Sequence, residues 1–239
     1  AEVVSQKAPD LPLCISSDVL PEMKEYERTS TTVINAYVLP VVATYLSALR
    51  KGLDKGGISV PIYLMQSNGG LTTSEAASRL PMHIIESGPA GGVIGSQSIA
   101  DASGIENVIT FDMGGTTAKT SMITRGEVTR ALDMQVGGGI MHGSRLMTGA
   151  GYALKVPAID LAEVGAGGGS ILSIDAGGSL KAGPESAGAS PGPVCYDAGG
   201  KQPTITDANV ILGYINPDHL VGGAVKLNKE KASQVFKEK

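Results

Sequence analysis

The sequence predicts an α/β fold, and three observations carry that reading. A stripe of apolar residues at helical spacing begins at Thr31 and continues to Leu49. A β-type run, a two-glycine turn and a second alternating run surround Asp112. Other β-type runs end in glycine-rich loops, and one of them leads on to a helix-start signal. Period 3.6 alternating with period 2 along one chain points to helices packed on strands.

Residues 1–30 read as an irregular lead-in, with Cys14-Ile-Ser-Ser as a short edge strand. The stripe that follows uses Val33, Ile34, Tyr37, Val38, Val41, Val42, Tyr45, Leu46 and Leu49, so it reads as a core-facing helix stopped by Gly52, Gly56 and Gly57. Pro40 lies inside it and is expected to kink or split the helix. Residues 62–67 form a strand running into Asn68-Gly69-Gly70, followed by a short helix from Thr73. That order puts backbone donors of Asn68, Gly69 and Gly70 at a strand end, where α/β sheets bind ligands; the other reading, and the simpler one, is a helix-entry turn needing positive φ. Glu86-Ser-Gly-Pro-Ala-Gly-Gly92 opens another helix with Pro89 in its first turn. Gly91, Gly92 and Gly95 would leave one side of it bare, at a cost of about 1 kcal/mol each, so a strand or a ligand should approach closely.

Residues 108–123 are the stretch around which the rest is organised. Asp112 stands where the first strand stops, Gly114 and Gly115 make the turn, and Thr116 and Thr117 stand at its lip. Two adjacent glycines let successive N–H groups face one concavity, which suits an anionic oxygen. Asp112 would repel that anion unless a metal ion lies between them, or unless it orients a water or a substrate hydroxyl. Two readings stay open: a phosphate-binding hairpin, or an ordinary glycine hairpin with a strand-end carboxylate.

Residues 126–132 read as a third antiparallel strand. Residues 136–151 form a glycine-rich loop with Met141, His142 and Met147, able to line a cleft. Residues 156–164 form a strand entering Gly165, Ala166, Gly167, Gly168, Gly169 and Ser170, where small residues let backbone lie flat on a ligand or on other backbone. Asp160 and Glu163 flank that loop and could hold water on a metal. Residues 181–200 read as a long ordered loop, and Thr206 or Asp207 as the cap of a helix carrying Val210, Ile211 and Leu212. Residues 226–239 read as a lysine-rich, truncated helical tail.

The 239 residues carry a net charge of −4, which gives no footprint for nucleic acid. Thirty-three glycines without a collagen period mark tight turns and close backbone approaches. With 42% apolar and 18% charged residues the chain can bury a core. No apolar run reads as long enough to cross a bilayer, so no membrane partner is expected. Two distant cysteines, Cys14 and Cys195, fit a reduced cytoplasmic setting.

Several stretches together resemble the hydantoinase A / 5-oxoprolinase family. They are Ser16-Ser-Asp-Val-Leu-Pro-Glu22 with Glu27-Arg-Thr-Ser-Thr-Thr-Val-Ile-Asn-Ala-Tyr37, Met65-Gln-Ser-Asn-Gly-Gly-Leu71 and Glu86-Ser-Gly-Pro-Ala-Gly-Gly92. Phe111-Asp-Met-Gly-Gly-Thr-Thr117, Val164-Gly-Ala-Gly-Gly-Gly-Ser-Ile171, Ser186-Ala-Gly-Ala-Ser-Pro-Gly-Pro193 and Pro203-Thr-Ile-Thr-Asp-Ala-Asn209 complete the set, in the family's order. The resemblance implies an actin-like (ribonuclease H-like) ATPase lobe, a mixed sheet with flanking helices, over residues 31–225. It implies ATP and magnesium as cofactors, a small cyclic-amide substrate such as a hydantoin or 5-oxoproline, and a separate B-type subunit as partner. Under it Asp112 acts through water on magnesium or as general base. Gly114, Gly115, Thr116 and Thr117 cradle phosphate, the loop from Gly165 to Ser170 is a second contact, and Asn68 to Gly70 a third. An ATP-dependent ketone carboxylase subunit is the alternative chemistry, and a non-catalytic scaffold of the same fold the alternative class.

Two departures matter. Members begin with a lobe carrying an earlier Asp-x-Gly-Gly-Thr loop, whereas this chain has one such motif, at Asp112. The chain is therefore expected to be the second lobe, lacking the N-terminal lobe of its polypeptide and inactive alone. Many members also place an acidic residue where Lys119 stands; here Lys119 is either a point charge for phosphate or a solvated strand residue.

Overall fold

The structure is a computed structural model and describes residues 1–137 and 151–238. His142, Met141 and Met147 lie outside the described residues. The chain divides into two compact units: residues 1–110 with 121–161, and residues 111–120 with 162–239.

The first unit starts with two short helices, α1 (Glu2–Lys7) and α2 (Ser16–Val19), and then α3 (Glu25–Lys55). The expected edge strand at Cys14 is therefore absent, because residues 16–19 turn helical instead. Helix α3 runs unbroken through Pro40, so the expected split does not occur. Its apolar residues form two adjacent stripes that the sequence merges into one. Leu46 is buried and Ile34 packs against the core, while Val33, Tyr37, Val41 and Tyr45 are 61%, 83%, 72% and 61% exposed. Polar residues complete the inward face. The Thr31 hydroxyl accepts from Lys155 N at 2.9 Å, and the Asn35 amide accepts from Met82 N and donates to Arg79 O, both at 3.3 Å.

Helix α3 is also long and apolar enough, by length and composition alone, to cross a membrane, which corrects the expectation of no such segment. That expectation looked for an unbroken apolar run, and Thr, Asn, Ser and Tyr interrupt this one without adding charge. The buried, bonded Thr31 and Asn35 are what a helix packed onto protein shows.

Strands β1 (Tyr63–Met65) and β2 (Leu71–Thr73) form an antiparallel hairpin ahead of α4 (Ser74–Arg79). The Thr73 hydroxyl caps that helix by accepting from Ala76 N. A 3₁₀ turn, Pro81–Ile84, leads to α5 (Ser87–Ala102), on which Gly91 faces the Met65 side chain of β1. Strand β3 (Val108–Met113) and strand β4 (Ala118–Thr124) belong to both units. The expected third strand is broken in two: β5 (Glu127–Val128) pairs with β4, and β6 (Arg130–Ala131) pairs with β9 (Ala158–Ile159). Between them β7 (Met134–Val136) pairs with β8 (Tyr152–Leu154). One core gathers Ala90, Val93, Ile123, Val128 and Ile159; a second gathers Val19, Met82, Leu154 and Val156.

In the second unit β10 (Ala162–Val164) pairs antiparallel with β4. Strands β11 (Ser170–Ile174) and β12 (Leu180–Ser186) form a further antiparallel pair, so part of the expected long loop is strand. Helices α6 (Ile205–Leu212) and α7 (Lys229–Glu238) pack around Cys195, Val210, Leu227 and Ala232. Burial, then the neighbouring Asp207 carboxylate, push the Cys195 thiol up to about 12. The α/β character agrees with the sequence reading, and the described ladders are short and antiparallel.

Candidate functional site

Asp112 is the last residue but one of β3, which ends at Met113, and the turn that follows is closed by Gly114 N donating to Thr117 O at 2.9 Å. In a hairpin closed there, Asp112 stands opposite Lys119 and Thr110 opposite Ser121. The second pairing is visible directly, since Ser121 N donates to the Thr110 hydroxyl at 3.0 Å. On the other side of β4, Glu163 of β10 is the register partner of Lys119. Alternation therefore places Asp112, Lys119 and Glu163 in one row on one face of the three strands, about 5 Å apart at their Cβ atoms. Asp112 is exposed, while Lys119 and Glu163 are half-buried.

The turn itself is open. Gly115 and Thr116 are exposed, and among the described residues their N–H groups and the Thr116 and Thr117 hydroxyls donate no hydrogen bond. An added Cβ at Gly115 would meet nothing within 4 Å.

The second glycine loop lies against the back of this turn. Gly168 N donates to Gly114 O at 2.8 Å and Gly169 N to Gly115 O at 2.7 Å. Gly167 N donates to the Ser170 hydroxyl at 2.8 Å, and Ser170 N to Gly167 O at 2.9 Å. Every amide from Gly167 to Ser170 is thus bonded inside the protein. The glycines are required by contact: a Cβ on Gly167 would sit 2.6 Å from the backbone of Thr116 and Thr117 and 2.7 Å from that of Gly115.

Helix α6 supports the loop in turn. Thr206 donates to Gly168 O through both its N–H and its hydroxyl, each at 2.8 Å. Its N-terminus is fixed by a capping box between Thr204 and Asp207, with Thr204 and not Thr206 or Asp207 in the capping position. The fully buried Asp207 carboxylate also accepts from Val194 N at 3.2 Å and Cys195 N at 2.7 Å. These supporting residues were missed because hydrogen-bond partners far apart in sequence leave no local signal. The Thr204-x-x-Asp207 spacing was the one readable clue.

Asn68, Gly69 and Gly70 belong to the first unit, whereas the Asp112 turn and the loop from Gly165 to Ser170 belong to the second. Asn68–Gly70 is the turn between β1 and β2 and not a strand-to-helix junction. The Asn68 side chain accepts from Gly70 N at 2.8 Å, and Gly69 has φ +86° with Ile94 Cδ1 2.7 Å from where a Cβ would stand. Local turn geometry and packing account for these three residues.

Among the described residues no three His, Cys, Asp or Glu side chains gather as a metal site. Asp112 can still offer one carboxylate to a magnesium ion whose other ligands are phosphate oxygens and water, the usual arrangement for that ion.

The sequence profile of the family described as Hydantoinase/oxoprolinase matches residues 28–239. An uncharacterized protein of Methanocaldococcus jannaschii is 46% identical over 235 residues, 98% of this chain and 34% of that protein. Caprolactamase subunit alpha of Pseudomonas jessenii is 38% identical over 237 residues, 99% of this chain and 32% of that subunit. The nucleotide-free structure of acetone carboxylase, from work on the mechanism of ATP-dependent acetone carboxylation, superposes with a TM-score of 0.73 at 32% identity. That match covers 100% of this chain and 32% of that one. The chain thus spans about a third of the length of the relatives it matches. A profile match over most of the chain and the agreement with these relatives lead to one conclusion: this chain belongs to the hydantoinase/oxoprolinase family.

Proposed function

We propose that this chain is the nucleotide-binding part of a subunit of an ATP-dependent enzyme that opens cyclic amides, built on an actin-like lobe. One observation carries the reading: an exposed turn whose N–H and hydroxyl donors are unused among the described residues, placed just after a carboxylate near the end of β3. The family and the caprolactamase relative support it, since caprolactam is a cyclic amide. A ring amide is a poor electrophile, and ATP, when bound, supplies the phosphoryl group that turns its oxygen into a leaving group. The chain's own residues prepare that chemistry. Gly115 and Thr116 N–H groups with the Thr116 and Thr117 hydroxyls hold phosphate oxygens. Asp112 orients a water on magnesium or takes a proton as general base. The loop from Gly165 to Ser170 keeps the turn in shape. The rest of the polypeptide, with an earlier phosphate loop, and a B-type subunit complete the active site, in a cytoplasmic assembly.

The likeness to acetone carboxylase favours a second reading, ATP-dependent carboxylation of a ketone. Assay of the full-length subunit with its partner decides between them. Lactam- or hydantoin-dependent release of ADP supports the hydrolase, and bicarbonate-dependent consumption of a ketone the carboxylase. Asp112→Ala should lower ATP turnover about a hundredfold or more. Turnover at the parental rate would reject the assignment and favour a non-catalytic scaffold.

A further inference from the structure

We infer that the buried Thr206 is a positioning residue for the phosphate turn, acting through a chain of hydrogen-bonded peptide groups that ends in the open Thr116 N–H. This role rests on the nucleotide-site reading above. Thr206 donates to Gly168 O through its N–H and its hydroxyl, each at 2.8 Å. The peptide group of Gly168 O carries the Gly169 N–H on its other side, and that N–H donates to Gly115 O at 2.7 Å. The peptide group of Gly115 O carries the Thr116 N–H in turn. C=O and N–H point in opposite directions across a trans peptide. Pinning Gly115 O against the backing loop therefore turns the Thr116 N–H away from that loop.

A second chain runs beside the first. Ser170 N donates to Gly167 O at 2.9 Å, Gly168 N donates to Gly114 O at 2.8 Å, and the peptide group of Gly114 O ends in the Gly115 N–H. The two open donors of the turn are thus the ends of two neighbouring chains that run the same way, which presents both to one anion. The chains differ in where they begin. The second begins at a backbone N–H of the loop itself, and the first at a side chain and N–H on α6 that together load one carbonyl with two donors. Each donor polarises the peptide group it reaches, and such chains strengthen by about 10–30% per bond. The approach is close by construction, since a Cβ on Gly168 would stand 2.8 Å from the Thr206 hydroxyl. Thr206 reaches the turn only through Gly168, Gly169 and Gly115, so its role is to aim and strengthen a donor.

The test uses the full-length protein. Thr206→Ala removes the hydroxyl without placing a methyl group 2.8 Å from Gly168 O, as Val would, and Thr206→Ser keeps the hydroxyl. With glycine and threonine isotope-labelled, Thr206→Ala should move the amide proton signals of Gly169 and Thr116 upfield. Those of Gly168 and Gly115, in the other chain, should stay near their parental positions. In calorimetry Thr206→Ala should bind a non-hydrolysable ATP analogue with magnesium about fivefold more weakly, with Thr206→Ser near the parent. Affinity for adenosine, which has no phosphate, should stay within about twofold. Val210→Ala controls for loosening of α6, because Val210 is fully buried on that helix against Cys195, Leu227 and Ala232. It should lower the melting temperature and leave the ratio of the two affinities unchanged. An unmoved Thr116 signal in Thr206→Ala overturns the inference, as does an equal loss for adenosine or the same change of ratio in Val210→Ala. A Thr206→Ala protein that does not fold overturns it too, because the role is then structural. If the parent binds no ATP analogue, the nucleotide-site reading fails instead, and the amide signals still decide whether Thr206 holds the turn.

Discussion

The turn from Gly114 to Thr117 and the loop from Gly165 to Ser170 are both glycine-rich and both follow a strand, yet their backbone donors have opposite fates. The second loop spends its Gly167, Gly168, Gly169 and Ser170 amides on Gly114 O, Gly115 O and its own residues. In the first, Gly115 and Thr116 are exposed, and among the described residues their amides are unbonded. Composition alone makes them look like two phosphate loops. The hydrogen bonds make one of them a candidate anion cradle and the other its backing. Glycine is needed in the backing, because no Cβ fits between two backbones, whereas a Cβ on Gly115 in the cradle would meet nothing within 4 Å.

That contrast can be broken from the support side first. Asp207→Ala removes the acceptor for Val194 N, Cys195 N and both Thr204 donors, all buried. It should cost about 4 kcal/mol in denaturant unfolding, through unpaired buried groups at the start of the helix that holds Gly168. Gly167→Ala should cost about 2 kcal/mol and weaken nucleotide binding with it, since the atoms 2.6 Å from the new Cβ are backbone and have nowhere to yield. A melting curve unchanged from the parent would show that the two loops are not pressed together.

The cradle side should behave differently. Thr116→Val changes an exposed turn residue, so stability should stay within about 0.5 kcal/mol of the parent. Affinity for nucleotide, measured by calorimetry on the full-length protein, should fall about tenfold with the lost hydroxyl. A stability loss with unchanged affinity would reverse the roles of the two loops.

The smallest effect is a pH dependence outside both loops. Burial lowers the His83 pKa from its ordinary 6.5 and so favours the neutral ring in the folded protein. The unfolded chain then binds more protons just below that value, so this contribution is complete above pH 6.5 and is lost as pH falls from there through the lowered folded-state value. His83→Gln should flatten the slope of stability below pH 6.5 and leave it unchanged above.

How much of this was legible in the sequence depends on how far apart the cooperating residues lie. The Asp112 strand end, its turn and the alternation of Lys119 are local, and period 2 with two glycines reveals them. The capping box of α6 is local too, although Thr204 and not Thr206 or Asp207 takes the capping position. The bonding of Gly168 and Gly169 to Gly114 and Gly115 joins residues about fifty positions apart, so no window on the sequence contains it. Helix α3 failed for another reason. Its polar Thr31 and Asn35 face inward because they satisfy backbone groups of residues 155, 79 and 82, and only tertiary structure shows those partners. An apolar stripe says that a helix has a face, and not which of two neighbouring faces the core takes.

Hydrogen–deuterium exchange of the full-length protein, followed in peptides covering residues 111–120 and 165–172, tests the contrast most directly. Without nucleotide, the Gly167 to Ser170 amides should exchange slowly and those of Gly115 and Thr116 fast. Adding magnesium and a non-hydrolysable ATP analogue should slow only the second pair. Fast exchange at 165–172 that slows on nucleotide addition, with 111–120 unaffected, would contradict the account.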